Sequence, residues 1–341
     1  MAVLDGVLAA AGNMAHRVLG GGFADFTPMP RTLVDQGRAR FVYHYDSADS
    51  GDPVLLVPPL AVPDTPFDLR RGCSLVEHLA RRRPTYLLDY GPIGFRDRDL
   101  GLEHWVDEVL PAAIGTVRER TGRAPHLIGW CFGGILSVLA AARLGIDAIA
   151  TLTVVASPFD FTKMPLLMPF RPIVAATGGH AFTPVYRAMG TIPAPLVRAA
   201  FQVSALDRHL TKPIAVATHL HDRDYLAQIE AVERFTANMV AYPGRTVGQI
   251  YHQFYRANAL ARGAIEVGGT RIDLAAAKQR TLLIAGRADT IAPRRAVGHL
   301  VKVLPDAEVE FVTAKGGHLG VLTGRAARHE TWPLIDRHLN G

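Results

Sequence analysis

The chain has 341 residues, 49% of them hydrophobic, which excludes a disordered chain and allows a large core, either as one elaborated domain or as a core with an insertion. Its two cysteines, Cys73 and Cys131, cannot build a disulfide framework and fit a reducing compartment. The formal charge of +6 comes from scattered arginines with one tight cluster, Arg81-Arg82-Arg83, read as a solvated helix end or a contact for substrate phosphates; no nucleic-acid module is present.

Residues 3–19 are amphipathic, contain Asp5, lack a basic leader and end in Gly20-Gly21-Gly22, which reads as a docking helix rather than a secretory signal. Residues 1–37 are thus expected to form an N-terminal helical extension. No stretch reaches the roughly 18–20 apolar residues of a spanning helix, so a cytoplasmic protein is expected, with a membrane, lipid or polymer granule surface as a candidate contact. Arg40–Tyr45 alternates like an antiparallel strand, and Val54–Val57 is a short buried one. A helix over 75–83, a strand at Thr85–Asp89 and a helix over 102–118 follow. The apolar run after Pro125 predicts a strand, 135–144 a helix stopped by Gly145, and 148–155, 281–285 and 309–312 further strands. Strands alternating with helices predict an α/β fold, a mostly parallel sheet with helices on both faces.

Between Pro158 and Ala275 the strand signal vanishes and helical pieces are punctuated by prolines. A structureless connection of that length is improbable in a compact domain, so 158–275 is expected to be a helical cap, with 38–157 and 276–341 as the core. The cap opens with Met164, Leu166, Leu167, Met168, Phe170, Ile173 and Val174, which either pack it onto the core or line an acyl channel.

The turn Gly129-Trp130-Cys131-Phe132-Gly133 joins an expected strand to an expected helix. Small residues let the chain reverse sharply there and hold Cys131 out of the sheet at a helix N-terminus, where orphan amides favour an anion. The competing reading is a buried, inert cysteine, which is the expectation for Cys73. A thiol nucleophile needs a base and a carboxylate that orients it, here sought downstream at strand ends. His318, between glycines after the last strand, is the candidate base; Asp289, after 281–285, is the candidate acid, with Asp160 as a competitor read as cap-anchoring. Oxyanion donors are expected at the backbone N–H of Phe132 and in the loop after Val57, where Pro58 and Pro59 lack an N–H and leave Leu60 or Ala61.

At these residues, and at Phe67-Asp68-Leu69, Ser157-Pro158-Phe159-Asp160-Phe161, Phe254-Tyr255-Arg256-Ala257-Asn258 and Asp289-Thr290-Ile291-Ala292-Pro293, the sequence resembles the polyhydroxyalkanoate synthases, α/β-hydrolase-fold enzymes with cysteine in the elbow. The resemblance runs from about Val54 to Leu339 and is nearest to the short-subunit class that works with a second subunit. It implies an α/β-hydrolase fold and a Cys131, Asp289, His318 triad that loads hydroxyacyl groups from coenzyme A thioesters and joins them into a polyester. It implies no cofactor and no metal, since acyl-CoA is the substrate. A homodimer or a second synthase subunit is the implied protein partner. The chain departs from the family where Thr290 replaces a histidine, Val62 an asparagine and Phe235 a tryptophan of the cap. A lipase, esterase or thioesterase is the alternative activity, and a silent binding module of the same fold a third reading.

Overall fold

The computed structural model describes residues 10, 12–13, 16, 20–47, 51–177, 184, 189–204 and 213–341; the helix expected over 3–19 falls largely outside them. The strands of the main sheet are β1 (Thr32–Gly37), β2 (Arg40–Tyr45), β3 (Val54–Val57), β4 (Thr85–Asp89), β5 (His126–Trp130), β6 (Leu152–Val155), β7 (Thr281–Gly286) and β8 (Val309–Ala314). They lie in the order β1-β2-β4-β3-β5-β6-β7-β8. β2 is antiparallel to both β1 and β4, whereas every pairing from β4 to β8 is parallel. The sheet is therefore mostly parallel, as its uninterrupted apolar strands require.

Alternation along each strand divides the core between the two faces. Leu55 and Val57 of β3 join Trp105, Leu136 and Leu139 on one side. Val54 and Leu56 join Leu75, Leu79, Trp332 and Ile335 on the other. The covering helices include α1 (Leu75–Ala80), α2 (Leu110–Thr121), α3 (Phe132–Leu144), α4 (Arg223–Ala237) and α5 (Thr331–Leu339). Ser74 caps α1 by accepting the N–H of Glu77 at 3.0 Å, and Gly122 ends α2 in the left-handed conformation (φ 69°). The helix expected over 102–118 is split: His104–Val109 is π-helical and runs directly into α2.

Two regions differ from the sequence reading. Thr32–Gly37, assigned to a helical extension, is the edge strand of the main sheet, joined to β2 by a tight turn through Ala39 (φ 49°). Its Thr-Leu-Val-Asp-Gln-Gly sequence is half polar because an edge strand faces water. The span 158–275 also contains strands: Thr191–Ile192 pairs with Tyr242–Pro243, and Ala264–Val267 forms a hairpin with Thr270–Asp273. Gly268 and Gly269, both with positive φ, make the two-residue turn of that hairpin, and Ile265, Val267 and Ile272 enter the core beside α3.

Ionic contacts tie α4 to the core. Asp224 receives the guanidinium groups of Arg70, Arg325 and Arg328 at 2.7–2.8 Å, and Asp222 a second contact from Arg325. Glu230 of α4 accepts the N–H groups of Phe23 and Ala24, so the N-terminal segment straps this helix down. Arg81 pairs with Glu77 at the surface, and the buried Arg83 donates to Asn340. Of the apolar run at 164–174, Met164 and Leu167 pack into the core and Met168 is exposed; the side chains of Leu166, Phe170 and Ile173 lie outside the described residues. Cys73 is fully buried and donates to the carbonyl of Thr323; burial pushes its thiol pKa up, the state of an inert core cysteine. Among the described residues, no helix is long and apolar enough to cross a membrane.

Candidate active site

β5 ends at Trp130 and α3 begins at Phe132, so a single residue turns strand into helix. That residue, Cys131, has φ 55° and ψ −122°, a conformation that side-chain-bearing residues rarely adopt. Its N–H is pinned to the carbonyl of Val155 in β6 at 2.8 Å. The turn closes only because its flanks are glycines. A Cβ on Gly129 would meet the backbone of Gly133 and Gly134, and one on Gly133 would collide with the carbonyl oxygens of Val57 and Pro58. Strain of the same kind recurs beside it at Ala61 (φ 63°) after β3 and Ala156 (φ 51°) after β6.

The structure brings the other two expected residues together. The acid loop after β7 is stitched to the loop after β8 by bonds from Arg287 N–H to the Ala314 carbonyl and from Ala288 N–H to the Gly316 carbonyl, at 2.9 and 3.0 Å. This places Asp289 Oδ2 2.8 Å from His318 Nδ1, with the carboxylate side chain wholly buried. Oδ1 of Asp289 accepts the N–H groups of Ile291 and Ala292 at 2.8 and 2.9 Å, which fixes the carboxylate. The indole of Trp130 donates to the His318 carbonyl at 3.0 Å and packs against its ring. His318 Nε2 is buried without a hydrogen-bond partner of acceptable geometry among the described residues. Burial lowers the imidazole's pKa, but the neighbouring Cys131 sulfur and the Asp289 carboxylate outweigh it and push it up to about 10. The ring is thereby held as an imidazolium between sulfur and carboxylate.

Asp160 is engaged elsewhere. Its Oδ1 accepts from the N–H and hydroxyl of Thr162 and from the amide of Asn258, whose own carbonyl oxygen takes the N–H of Phe161. It ties the start of the 158–275 span to its later part and lies outside the His318 network.

Phe132 is the first residue of α3, so its N–H has no intrahelical acceptor. Leu60 and Ala61 are buried in the loop after β3, against which Gly133 presses the helix. Two contacts steady that loop: the Tyr90 hydroxyl donates to the Pro58 carbonyl, and the Val240 N–H to the Ala61 carbonyl, each at 3.0 Å.

Several residues around the sulfur were not legible in advance. The rings of Tyr242 and Phe254 lie 6.5 and 6.1 Å from that of Phe132, and Phe161 packs at a tilt against Phe254 at 5.5 Å, forming an aromatic wall beside the elbow. Burial, and then the charge on Cys131, raise the pKa of the Tyr242 phenol, so it stays protonated. Phe254 belongs to the Phe254-Tyr255-Arg256-Ala257-Asn258 stretch, but nothing in the sequence places Tyr242 beside Cys131. Among the described residues, no group of three or more His, Cys, Asp or Glu side chains is arranged to hold a metal ion.

Comparison with known proteins bears on the family likeness and on the fold. The PhaC poly(3-hydroxyalkanoate) polymerase subunit of Haloferax mediterranei is 23% identical over 90% of this chain and 63% of its own length. The PhaC subunits of Allochromatium vinosum and a Synechocystis strain are 26% and 27% identical, over 91% and 84% of this chain and 88% and 77% of theirs. The chain is polyhydroxyalkanoate-synthase-like. It thus spans less than two thirds of the Haloferax relative. No family model matches it. Among solved structures, a meta-cleavage product hydrolase from Pseudomonas fluorescens (TM-score 0.53, 17% identity, 92% of this chain and 98% of that one) has a similar fold. So does a monoacylglycerol lipase from Paleococcus ferrophilus (TM-score 0.53, 16% identity, 88% and 98%). The fold is that of the α/β-hydrolases.

Proposed function

We propose that the chain is a cysteine-dependent acyltransferase that loads hydroxyacyl groups from coenzyme A thioesters onto Cys131 and passes them to a hydroxyl acceptor, the end of a growing polyester. The observation that carries this reading is Cys131 on a strained turn beside a buried imidazole that is itself locked to a buried carboxylate. The thiolate adds to the thioester carbonyl, and the developing oxyanion takes the N–H of Phe132 and of Leu60 or Ala61. Collapse breaks the bond to the coenzyme A sulfur, which leaves with the proton from His318 Nε2. An acceptor hydroxyl then gives its proton to that nitrogen, attacks the acyl-Cys131 carbonyl and releases the sulfur. Asp289 holds the ring in the required orientation throughout.

Exchange of one thioester for another is close to isoenergetic, and the following step to an oxygen ester runs downhill, so a sulfur nucleophile suits transfer. The aromatic wall of Phe132, Tyr242, Phe254 and Phe161 disfavours water as the acceptor. The similarity to poly(3-hydroxyalkanoate) polymerase subunits supports a polymer acceptor. A homodimer or second synthase subunit and a polymer surface extend the same proposal. One feature favours hydrolysis instead: the buried Val62 offers no side-chain amide where the family carries asparagine. Phe235, where the family carries tryptophan, sets an aromatic ring edge-on to Trp130 at 6.1 Å.

Incubation with 3-hydroxybutyryl-CoA tests the reading. Release of coenzyme A with chain-extended ester, lost by at least about 10³-fold in Cys131→Ala, is expected. Free acid as the sole product would make the protein a thioesterase, and thiol release unchanged in the variant would refute the cysteine.

A further inference from the structure

Beyond β7 and β8 lies a cleft of about 870 Å³ whose rim carries Lys163, Arg287, Arg294, Arg295 and Lys302. Its carboxylates offer these cations little: Asp289 is committed to His318, Ile291 and Ala292, and Asp160 to Thr162 and Asn258. Arg287 shares Glu330 at 3.5 Å, and Arg294 lies over the ring of Phe311 at 5.8 Å. Lys163, Arg295 and Lys302 are exposed and have no ion pair among the described residues. Like charges gathered in a concavity repel one another, and a bound polyanion removes that cost.

The cleft adjoins the reaction centre. Gly286, which lines it, lies against Gly316 and Gly317 of the loop that carries His318, and Asp289, which also lines it, bonds to His318 itself. β7 stands two strands from β5 in the sheet, roughly 10 Å at ordinary strand spacing. A substrate lying from Cys131 toward this rim would carry its reactive carbonyl at one end and its charge at the other.

We propose that the cleft binds the phosphate groups at the nucleotide end of a coenzyme A thioester, an inference that rests on the acyltransfer reading above. Lys163, Arg295 and Lys302 supply the charge, while Arg287 and Arg294 are held by Glu330 and Phe311 as fixed walls. The triple variant Lys163→Ala/Arg295→Ala/Lys302→Ala should raise KM for 3-hydroxybutyryl-CoA about tenfold. It should leave kcat, and both constants for the N-acetylcysteamine thioester of the same acid, near those of the unaltered protein. The charge-keeping variant Lys163→Arg/Arg295→Lys/Lys302→Arg should restore KM. By calorimetry, adenosine 3′,5′-bisphosphate should bind the unaltered chain more weakly as salt rises, and the alanine variant at least about tenfold more weakly still. Equal KM changes for the two thioesters, or none, would overturn the proposal, as would equal bisphosphate binding by both proteins. Binding of inorganic phosphate without any effect on KM would also overturn it, marking a site for the free anion. Failure of the unaltered chain to turn over either thioester would refute the acyltransfer reading, while calorimetry would still report on the cleft.

Discussion

Asp289 and His318 act as one unit because each removes the other's alternatives. Oδ1 of the carboxylate is saturated by two backbone donors, so only Oδ2 faces the ring, and Nδ1 bonded to it leaves Nε2 for the sulfur. Asp289→Asn keeps the shape but replaces the acceptor, and should lower kcat/KM by roughly 10³-fold without a comparable loss of stability. His318 is raised above its ordinary 6.5 to about 10, so the imidazolium persists through neutrality and is lost as pH rises through that value. Steady-state rates should therefore hold on the alkaline side and fall near pH 10; a fall centred near pH 6.5 would show the ring uncoupled from its partners. In Asp289→Asn, with one source of the raised pKa removed, the alkaline limb should move to lower pH.

The elbow is shaped by close approach as much as by dihedral angles. Gly133→Ala would drive a methyl group into the carbonyls of Val57 and Pro58, which are backbone atoms and cannot swing aside. It should cost about 2–3 kcal/mol and abolish activity, because the displaced loop carries Leu60 and Ala61. Gly115, inside α2 with open space around its Cβ position, is the control: Gly115→Ala should stabilise by about 0.5–1 kcal/mol and leave activity unchanged. Thermal unfolding and an activity assay on the two variants check both outcomes. The same contrast explains what was legible. Glycines at fixed offsets announced the elbow, and loops after apolar strands announced Asp289 and His318. The edge strand Thr32–Gly37 carried too many polar residues to stand out. The hairpin around Gly268-Gly269 had a readable turn, masked by the proline-broken helices before it. Tyr242 reaches Cys131 only through tertiary packing, and no local pattern encodes that.

Across the whole molecule, parallel strands end on one rim, and loops distant in sequence meet there. Stability rests partly on histidines kept neutral inside. Burial, reinforced by nearby cations, lowers both His126 and His338 to about 4, with His126 bonded to Thr151 and His338 to the Leu152 carbonyl. The unfolded chain binds protons on these rings near pH 6.5 and the folded one does not, so stability is full above that value and falls as pH drops toward 4. Urea midpoints should be lower at pH 5 than at pH 7.5, and the difference should shrink in His126→Asn. In the proposed reaction Cys131 carries the acyl group. Rapid quenching with 3-hydroxybutyryl-CoA followed by peptide mass spectrometry should find one hydroxybutyryl adduct, on Cys131. Turnover with no adduct there, and undiminished in Cys131→Ala, would contradict it.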